Sequence, residues 1–296
     1  MSDFPDYLKV PESLKSHPEL VKRGIALDYS LNIGSVYATA VLKPPYFVVK
    51  VLNPANEEEA ITDRLQHDPS PRNHLIPCEI IRSDRSLLVM PYVREIDSPI
   101  LRHSSPFMRL CVLLKLFHQI AEGVDHLHRL RIAHIDLCFG NVMVAIDETE
   151  REHPRTTAGR VYIIDFDRSR QLDLGPGRQL PIELPSTQCK PPLNMKSFDP
   201  YSWDVYCMGK LFEQLTQEAF CLHSGPPWFL KKLCKWVIGD ERGCSGVCRC
   251  RPTARRVALI FSVVRFAAGL LEILGKRVAA VRSFFVCSRP PSPALA

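Results

Sequence analysis

Long uninterrupted apolar runs are scarce in this chain of 296 residues. Met1 to Val10 holds no apolar core, which argues against a secretory signal. The one membrane candidate, Val257 to Leu274, is broken by Arg265 and Glu272, a poor pattern for a bilayer span. Its preferred reading is an amphipathic helix; peripheral membrane contact through 257–285 is the less favoured one. No Cys-x-x-Cys pair occurs among the eleven cysteines, so zinc on Cys244, Cys248 and Cys250 is disfavoured. An odd cysteine count without a secretory signal points to thiols in a reducing, intracellular setting, cytoplasmic or nuclear. Neither sign of charge is in marked excess: +6 allows acidic partners but predicts no nucleic-acid binding. What remains is an ordinary globular composition, 46% hydrophobic and 24% charged, with length for one domain of two lobes or two small domains.

Two stretches carry chemistry. Ala133-His134-Ile135-Asp136-Leu137-Cys138-Phe139-Gly140-Asn141-Val142 puts Asp136 and Asn141 on one short polar loop. Val161-Tyr162-Ile163-Ile164-Asp165-Phe166-Asp167 puts Asp165 after a β-branched run that reads as a buried strand. Two carboxylates and an amide at the edges of apolar runs suit oxygen ligation of Mg²⁺, with one acid spare to orient a hydroxyl nucleophile.

His-x-Asp-Leu-x-x-x-Asn over 134–141 resembles the catalytic loop of eukaryotic protein kinases. Asp165-Phe166-Asp167 resembles their Asp-Phe-Gly, with the glycine replaced. The resemblance, a divergent one, implies Asp136 as catalytic base, Asn141 as ligand of a second Mg²⁺ and Asp165 as the main Mg²⁺ ligand.

Upstream, two strands are expected around Asn32-Ile33-Gly34-Ser35, and a third over Tyr46–Leu52. Kinases fold the first hairpin as a glycine-rich lid over phosphates. Here only Gly34 matches, followed by Val36, while Tyr29 and Leu31 stand at the first two glycine positions. Lys50 is isolated in an apolar strand, where an unpaired ammonium is costly. Val48-Val49-Lys50 resembles the strand whose lysine holds the α- and β-phosphates. Its implied partner is Glu58 on a helix over Ala55–Gln66, with Glu57 and Glu59 as fallbacks. Strands are also expected over Leu75–Ile81 and Ser86–Val93. In the second, Met90 resembles the gatekeeper and Pro91-Tyr92-Val93 the hinge that meets adenine; Met143 follows as a further adenine contact.

Pro106 to Arg129 has apolar residues at helical spacing and resembles the helix leading into the catalytic loop. The histidines near its end, His126, His128 and His134, read as structural, since no matched ligand cluster accompanies them. Asp147–Arg160 reads as a polar surface insertion, and Arg168–Lys196 takes the place of the activation segment. Pro191-Pro192-Leu193 lacks the glutamate of Ala-Pro-Glu, so Arg251, in Arg251-Pro252-Thr253-Ala254, needs another partner. Asp204-Val205-x-x-x-Gly209, on a helix from Pro200, resembles the kinase αF helix. There Asp204 would be buried against backbone near His134. Small-molecule phosphotransferases share a His-x-Asp loop but usually lack this helix. A further helix is expected over Pro226–Ile238.

The implied fold is α+β and bilobal: a small antiparallel sheet plus one helix over 24–92, then a larger, mainly helical lobe over 93–260. Residues 1–23 are expected as a flexible leader, with a short helix near Glu12–Ser16, and 261–296 as a helix extension and disordered tail. The implied activity is phosphoryl transfer from Mg²⁺-bound ATP to a protein hydroxyl, Ser/Thr in preference to Tyr. The alternatives are a pseudokinase acting as a binding module and a small-molecule phosphotransferase. Ile135 replaces the arginine that reads activation-loop phosphate, and Cys138 replaces the lysine of Ser/Thr kinases.

Overall fold

A computed structural model describes residues 9–40, 44–96, 101, 105–191, 196–221, 225–239 and 247–287, with the backbone alone for 271–287. The N-terminal lobe is a five-stranded antiparallel sheet in the order β1-β2-β3-β5-β4. Its strands are β1 (Leu27–Asn32), β2 (Val36–Thr39), β3 (Phe47–Val51), β4 (Glu79–Ile81) and β5 (Leu87–Pro91). The expected strand over Leu75–Ile81 is shorter, because Leu75 bridges instead to Ile163 in the other lobe.

Period-two alternation decides what each face of the sheet does. Tyr37, Val49, Ile81, Leu87 and Val89 share one cluster on the outer face. Leu88 and Met90, with Val48 and Ile80 packed against them, share another on the inner face. Lys50 pairs with Leu88 across the sheet and has the parity of Val48, so its ammonium emerges on the inner face. Helix α3 (Glu58–Gln66) lies between β3 and β4 in the chain and starts three residues later than expected. Asn53 and Pro54 form a turn first, in which the Asn53 side chain accepts from the Ala55 amide at 3.0 Å.

Residues 9–23 depart from the flexible leader expected over 1–23. Helices α1 (Glu12–Lys15) and α2 (Pro18–Lys22) bring Val10 and Leu20 into the outer-face cluster, Leu20 with no exposure. Arg23 then bonds Glu79 Oε1 at 2.5 Å. The outer face would otherwise present a row of apolar side chains to water, and this segment covers it.

The C-terminal lobe is built on α4 (Pro106–Arg129), α6 (Pro200–Phe220), α7 (Trp228–Ile238) and α8 (Ala254–Cys287). Phe117 of α4 stacks on Phe212 of α6 with centroids 4.0 Å apart, and Phe261 of α8 packs edge-on against both. The boundary expected at residue 260 thus falls inside a helix whose buried face continues through Ala268. Val257, Phe261 and Ala268 make that face while Leu259, Val263 and Phe266 are exposed, and no helix among the described residues is long and apolar enough to cross a membrane. Helix α6 begins as its sequence dictates: Pro200 occupies the first turn, and the Asp199 side chain accepts from the amides of Tyr201 and Ser202 at 3.0 and 3.2 Å.

Short strand pairs complete the C-terminal lobe. Strand β6 (Arg94–Glu95) pairs with β8 (Val142–Val144), which pairs with β9 (Val161–Ile163). Strand β7 (Ile132–Ala133) pairs with β10 (Arg170–Gln171), and β11 (Ile182–Glu183) with β12 (Ser197–Phe198). The stretch Asp147–Arg160 is more than a surface loop. It forms α5 (Asp147–Glu152) and buries Thr149, His153 and Thr156. His153 Nε2 donates to the carbonyl of Tyr46 at 2.8 Å, and its ring meets Phe47 edge-on. The segment therefore straps the second lobe to the strand that carries Lys50.

Candidate active site

Lys50, Glu58 and Asp165 come together from β3, α3 and the turn after β9. Lys50 Nζ donates to Glu58 Oε1 at 2.7 Å and to Asp165 Oδ1 at 2.5 Å. Burial opposes the lysine charge, but the two carboxylates outweigh it and hold Lys50 above the usual lysine range. Burial also opposes the charge on Asp165, and Lys50 outweighs it, leaving Asp165 below the ordinary aspartate range. Glu58 is the most enclosed of the three, and burial pushes its carboxyl up against the pull of Lys50. The same Glu58 oxygen also accepts from the Phe166 amide at 3.2 Å, so α3 is fastened to the turn that carries Asp165 as well as to the lysine.

Which of three consecutive glutamates meets Lys50 is a matter of helix phase. Glu57 turns outward to the Gln171 amide at 2.7 Å, and Glu59 toward Arg82 at 3.3 Å, which leaves Glu58 facing the sheet.

The polar loop is held from beneath. Ile135 is fully buried with φ 69°, a left-handed conformation unusual for a β-branched residue. Asp204 of α6 accepts from the amides of His134 at 2.8 Å and Ile135 at 2.7 Å, and from His128 Nε2 at 2.9 Å. Trp203 Nε1 donates to the Ile135 carbonyl at 2.7 Å. His134 Nε2 donates to the Ile164 carbonyl at 3.0 Å, placing the loop against the residue before Asp165. The three histidines are structural in this setting, His126 pairing with Asp68 at 2.8 Å.

Asn141 lies on a short 3₁₀ turn, Phe139–Asn141. Its Nδ2 donates to the Asp136 carbonyl at 2.8 Å, which leaves its own side-chain oxygen as an acceptor. The Ile164 amide donates to the Asn141 carbonyl at 3.0 Å, so Asn141 and Asp165 flank the same end of the β8–β9 pair. Asp165 also has positive φ, 64°, which turns its carboxylate out of the strand direction. An ionised carboxylate and an amide oxygen are the donor types that Mg²⁺ takes, and these two residues fit such an ion. Asp167, standing where the resemblance has glycine, accepts from Asn56 Nδ2 and pairs with Arg168 at 3.4 Å. Much of its added negative charge is therefore engaged.

Val48, Met90, Val93 and Met143 share one apolar cluster that spans both lobes. The Tyr92 amide is committed to the Tyr46 carbonyl at 2.9 Å, and Pro91 ends β5. Val36 lies opposite Lys50 on β2. Gly34 has φ 78° in the β1–β2 turn, a conformation that favours glycine. The hairpin is irregular: β1 shifts register between Leu27 and Tyr29 and again between Ser30 and Asn32, and Leu31 is exposed.

Residues 48–179 match the family model described as protein tyrosine and serine/threonine kinase. Over these residues the chain is protein kinase-like. The matched stretch runs from the lysine strand past Asp165 and stops before α6, so the Asp204 contacts are a separate observation pointing the same way. No curated protein matches the chain. Kinase-like proteins of this family in general use ATP and Mg²⁺ and act on protein substrates.

Some contacts of this kinase-like site had no sequence signal. Asn56 to Asp167 joins residues far apart in the chain, and the Gln188 amide donates to Asp136 Oδ1 at 2.8 Å from a segment without periodicity. Leu193 and Cys244 lie outside the described residues. Arg251 has partners other than the glutamate that the motif lacks: its Nε donates to the Ile238 carbonyl at 2.6 Å, and its guanidinium lies over the Tyr206 ring. Among the described residues no group of three or more His, Cys, Asp or Glu is placed to hold a metal ion.

Proposed function

We propose that the chain transfers the γ-phosphoryl group of ATP to a protein hydroxyl, serine or threonine in preference to tyrosine. The observation that carries this is the convergence of Lys50, Glu58 and Asp165 on the inner face of the sheet, with Asp136 and Asn141 on the loop opposite. In this reading Val36, Val48, Met90, Val93 and Met143 enclose adenine, and Pro91 and Tyr92 shape the hinge beside it. Gly34 sits at the tip of the lid. Lys50, oriented by Glu58, holds the α- and β-phosphates. Asp165 and Asn141 would hold Mg²⁺, which supplies neutralisation of the charge that develops on the phosphates. Asp136 orients the acceptor hydroxyl and takes its proton. The work of the site is positioning and electrostatics, which needs these few groups fixed and little else. The proposed partners are ATP and a protein substrate, inside the cell.

The binding-module alternative draws support from one feature, the lid. Tyr29 and Leu31 carry side chains where backbone would approach phosphate closely. A thermal-shift titration with Mg-ATP on wild type, Lys50→Met and Asp165→Asn tests nucleotide binding. Only wild type is expected to gain melting temperature with ligand. Equal shifts in all three would remove the nucleotide site. Radiolabelled transfer to generic protein substrates tests turnover, with loss expected in Asp136→Asn. Binding without turnover, and with no effect of Asp136→Asn, would favour the module.

A further inference from the structure

Helix α8 has two apolar faces. Val257, Phe261 and Ala268 are buried in the core of the second lobe. Leu259, Val263, Phe266 and Leu270 are 58%, 65%, 69% and 46% exposed. With about 100° between successive helical residues, these four fall within ~60° of one another, on the side opposite the buried face. Single exposed apolar side chains are ordinary on a protein surface. Four in one line, with a phenylalanine among them, form a patch of the kind that meets a partner.

Arg255 and Arg256, both exposed, flank the head of this stripe. The first turn of α8 carries no acid. Two cations there oppose the positive end of the helix dipole, so helix stability does not account for them. The helix backbone continues to Cys287, and its sequence contains Arg265, Lys276, Arg277 and Arg282 against one acid, Glu272.

This charge selects the occupant. A second copy of the chain would set the same excess of cations against itself, a repulsive pairing. An anionic phospholipid surface supplies what both parts of the helix lack. Its phosphates accept from arginine, and its acyl boundary takes up apolar side chains without any need for a matching shape.

We propose that α8 lies flat on an anionic phospholipid surface. Leu259, Val263, Phe266 and Leu270 enter the boundary between headgroups and acyl chains, and Arg255 and Arg256 bond lipid phosphates. The contact is peripheral, and the exposed stripe favours it where the sequence pattern ranks it second. It depends on how α8 packs in the second lobe and stands apart from the phosphoryl-transfer reading.

Cosedimentation of the full chain with vesicles of phosphatidylcholine, alone or mixed with phosphatidylserine, tests it. The chain should partition several-fold more strongly onto the mixed vesicles, and added salt should weaken this. Arg255→Gln combined with Arg256→Gln should weaken partition about 30-fold, and Phe266→Ser about tenfold or more. All three positions are exposed, so melting temperatures should match wild type. Phe266→Trp should add emission that lipids with brominated acyl chains quench, which reports entry below the headgroups. Absence of vesicle binding, equal binding to both vesicle types, or binding unchanged by Phe266→Ser would each overturn the proposal. So would a wild-type dimer in sedimentation velocity that Phe266→Ser dissociates, since that assigns the stripe to a second copy. None of these readouts uses phosphoryl transfer, so their outcome is independent of whether the chain is an active kinase.

Discussion

Asp204→Ala tests whether the loop carrying Asp136 is held by one buried carboxylate. Asp204 has no exposure and accepts three hydrogen bonds, from the amides of His134 and Ile135 and from His128 Nε2. Alanine leaves two buried amides without an acceptor, each costing roughly 1–3 kcal/mol. It also leaves His128 Nε2 without its acceptor, while relaxation of Ile135 from φ 69°, about 1–3 kcal/mol of strain, returns part of the loss. The expected loss is therefore about 4 kcal/mol, a large part of the roughly 5–15 kcal/mol that holds a folded domain together. Asp204→Asn keeps one carbonyl acceptor but turns an NH₂ toward the second amide, for a loss of about 2 kcal/mol. Urea unfolding followed by tryptophan fluorescence reads both, since Trp203 bonds the Ile135 carbonyl directly. The midpoints should fall in the order wild type, Asn, Ala with little change in slope. An alanine variant within about 1 kcal/mol of wild type would mean that this carboxylate does not hold the loop, and the account of how Asp136 is positioned would fail.

Gly209→Ala should destabilise by about 1–3 kcal/mol through overpacking, because the added carbon would lie 2.8 Å from the Ile238 backbone nitrogen, which cannot swing aside as a side-chain tip can. A lowered melting temperature checks it, and an unchanged one would mean that α7 does not seat on α6 there. Burial holds His153 below the ordinary histidine range despite its bond to Tyr46, so the unfolded chain takes up the proton first as pH falls. The stability that His153 provides is full above the unfolded histidine value, near pH ~6.5, and is lost as pH drops through the lower folded value. His153→Phe should flatten the stability profile in that window, and melting curves across pH read the difference. Asp167→Gly removes the bond from Asn56 and should cost about 0.5–1.5 kcal/mol; faster hydrogen exchange over Phe166 to Ser169 is the expected sign, and unchanged exchange would show that Asn56 does not restrain the turn.

The elements whose rules are local could be read directly. Pro106–Arg129 was legible to the residue, because a long apolar stripe at helical spacing has no competing period. The helix from Pro200 was legible from its start for the same reason, with a proline in the first turn and an aspartate cap, although it runs on to Phe220 rather than ending near Leu215. The leader misled because its prolines and charges have the composition of a free segment. Among its described residues Val10, Leu14 and Leu20 reach the sheet, and nothing nearby in sequence marks that sheet as their target. Asp147–Arg160 misled similarly, since a polar composition hides the single histidine that reaches Tyr46.

The sequence alone determined the residue types of the site and their order: a lysine in an apolar strand, acids at the ends of β-branched runs, an aspartate set into an apolar helix. Alternation with period two already placed Lys50 on the same face as Val48, because side chains along a strand must alternate. The tertiary structure decided which acid meets that lysine. Successive residues on a helix point about 100° apart, so Glu57, Glu58 and Glu59 are equivalent on paper and become different only when α3 is laid against a sheet. It also decided the bond from Asn56 to Asp167 and the strap of His153. Each joins groups far apart along the chain, and no local preference encodes a distance that exists only after the lobes and helices have packed.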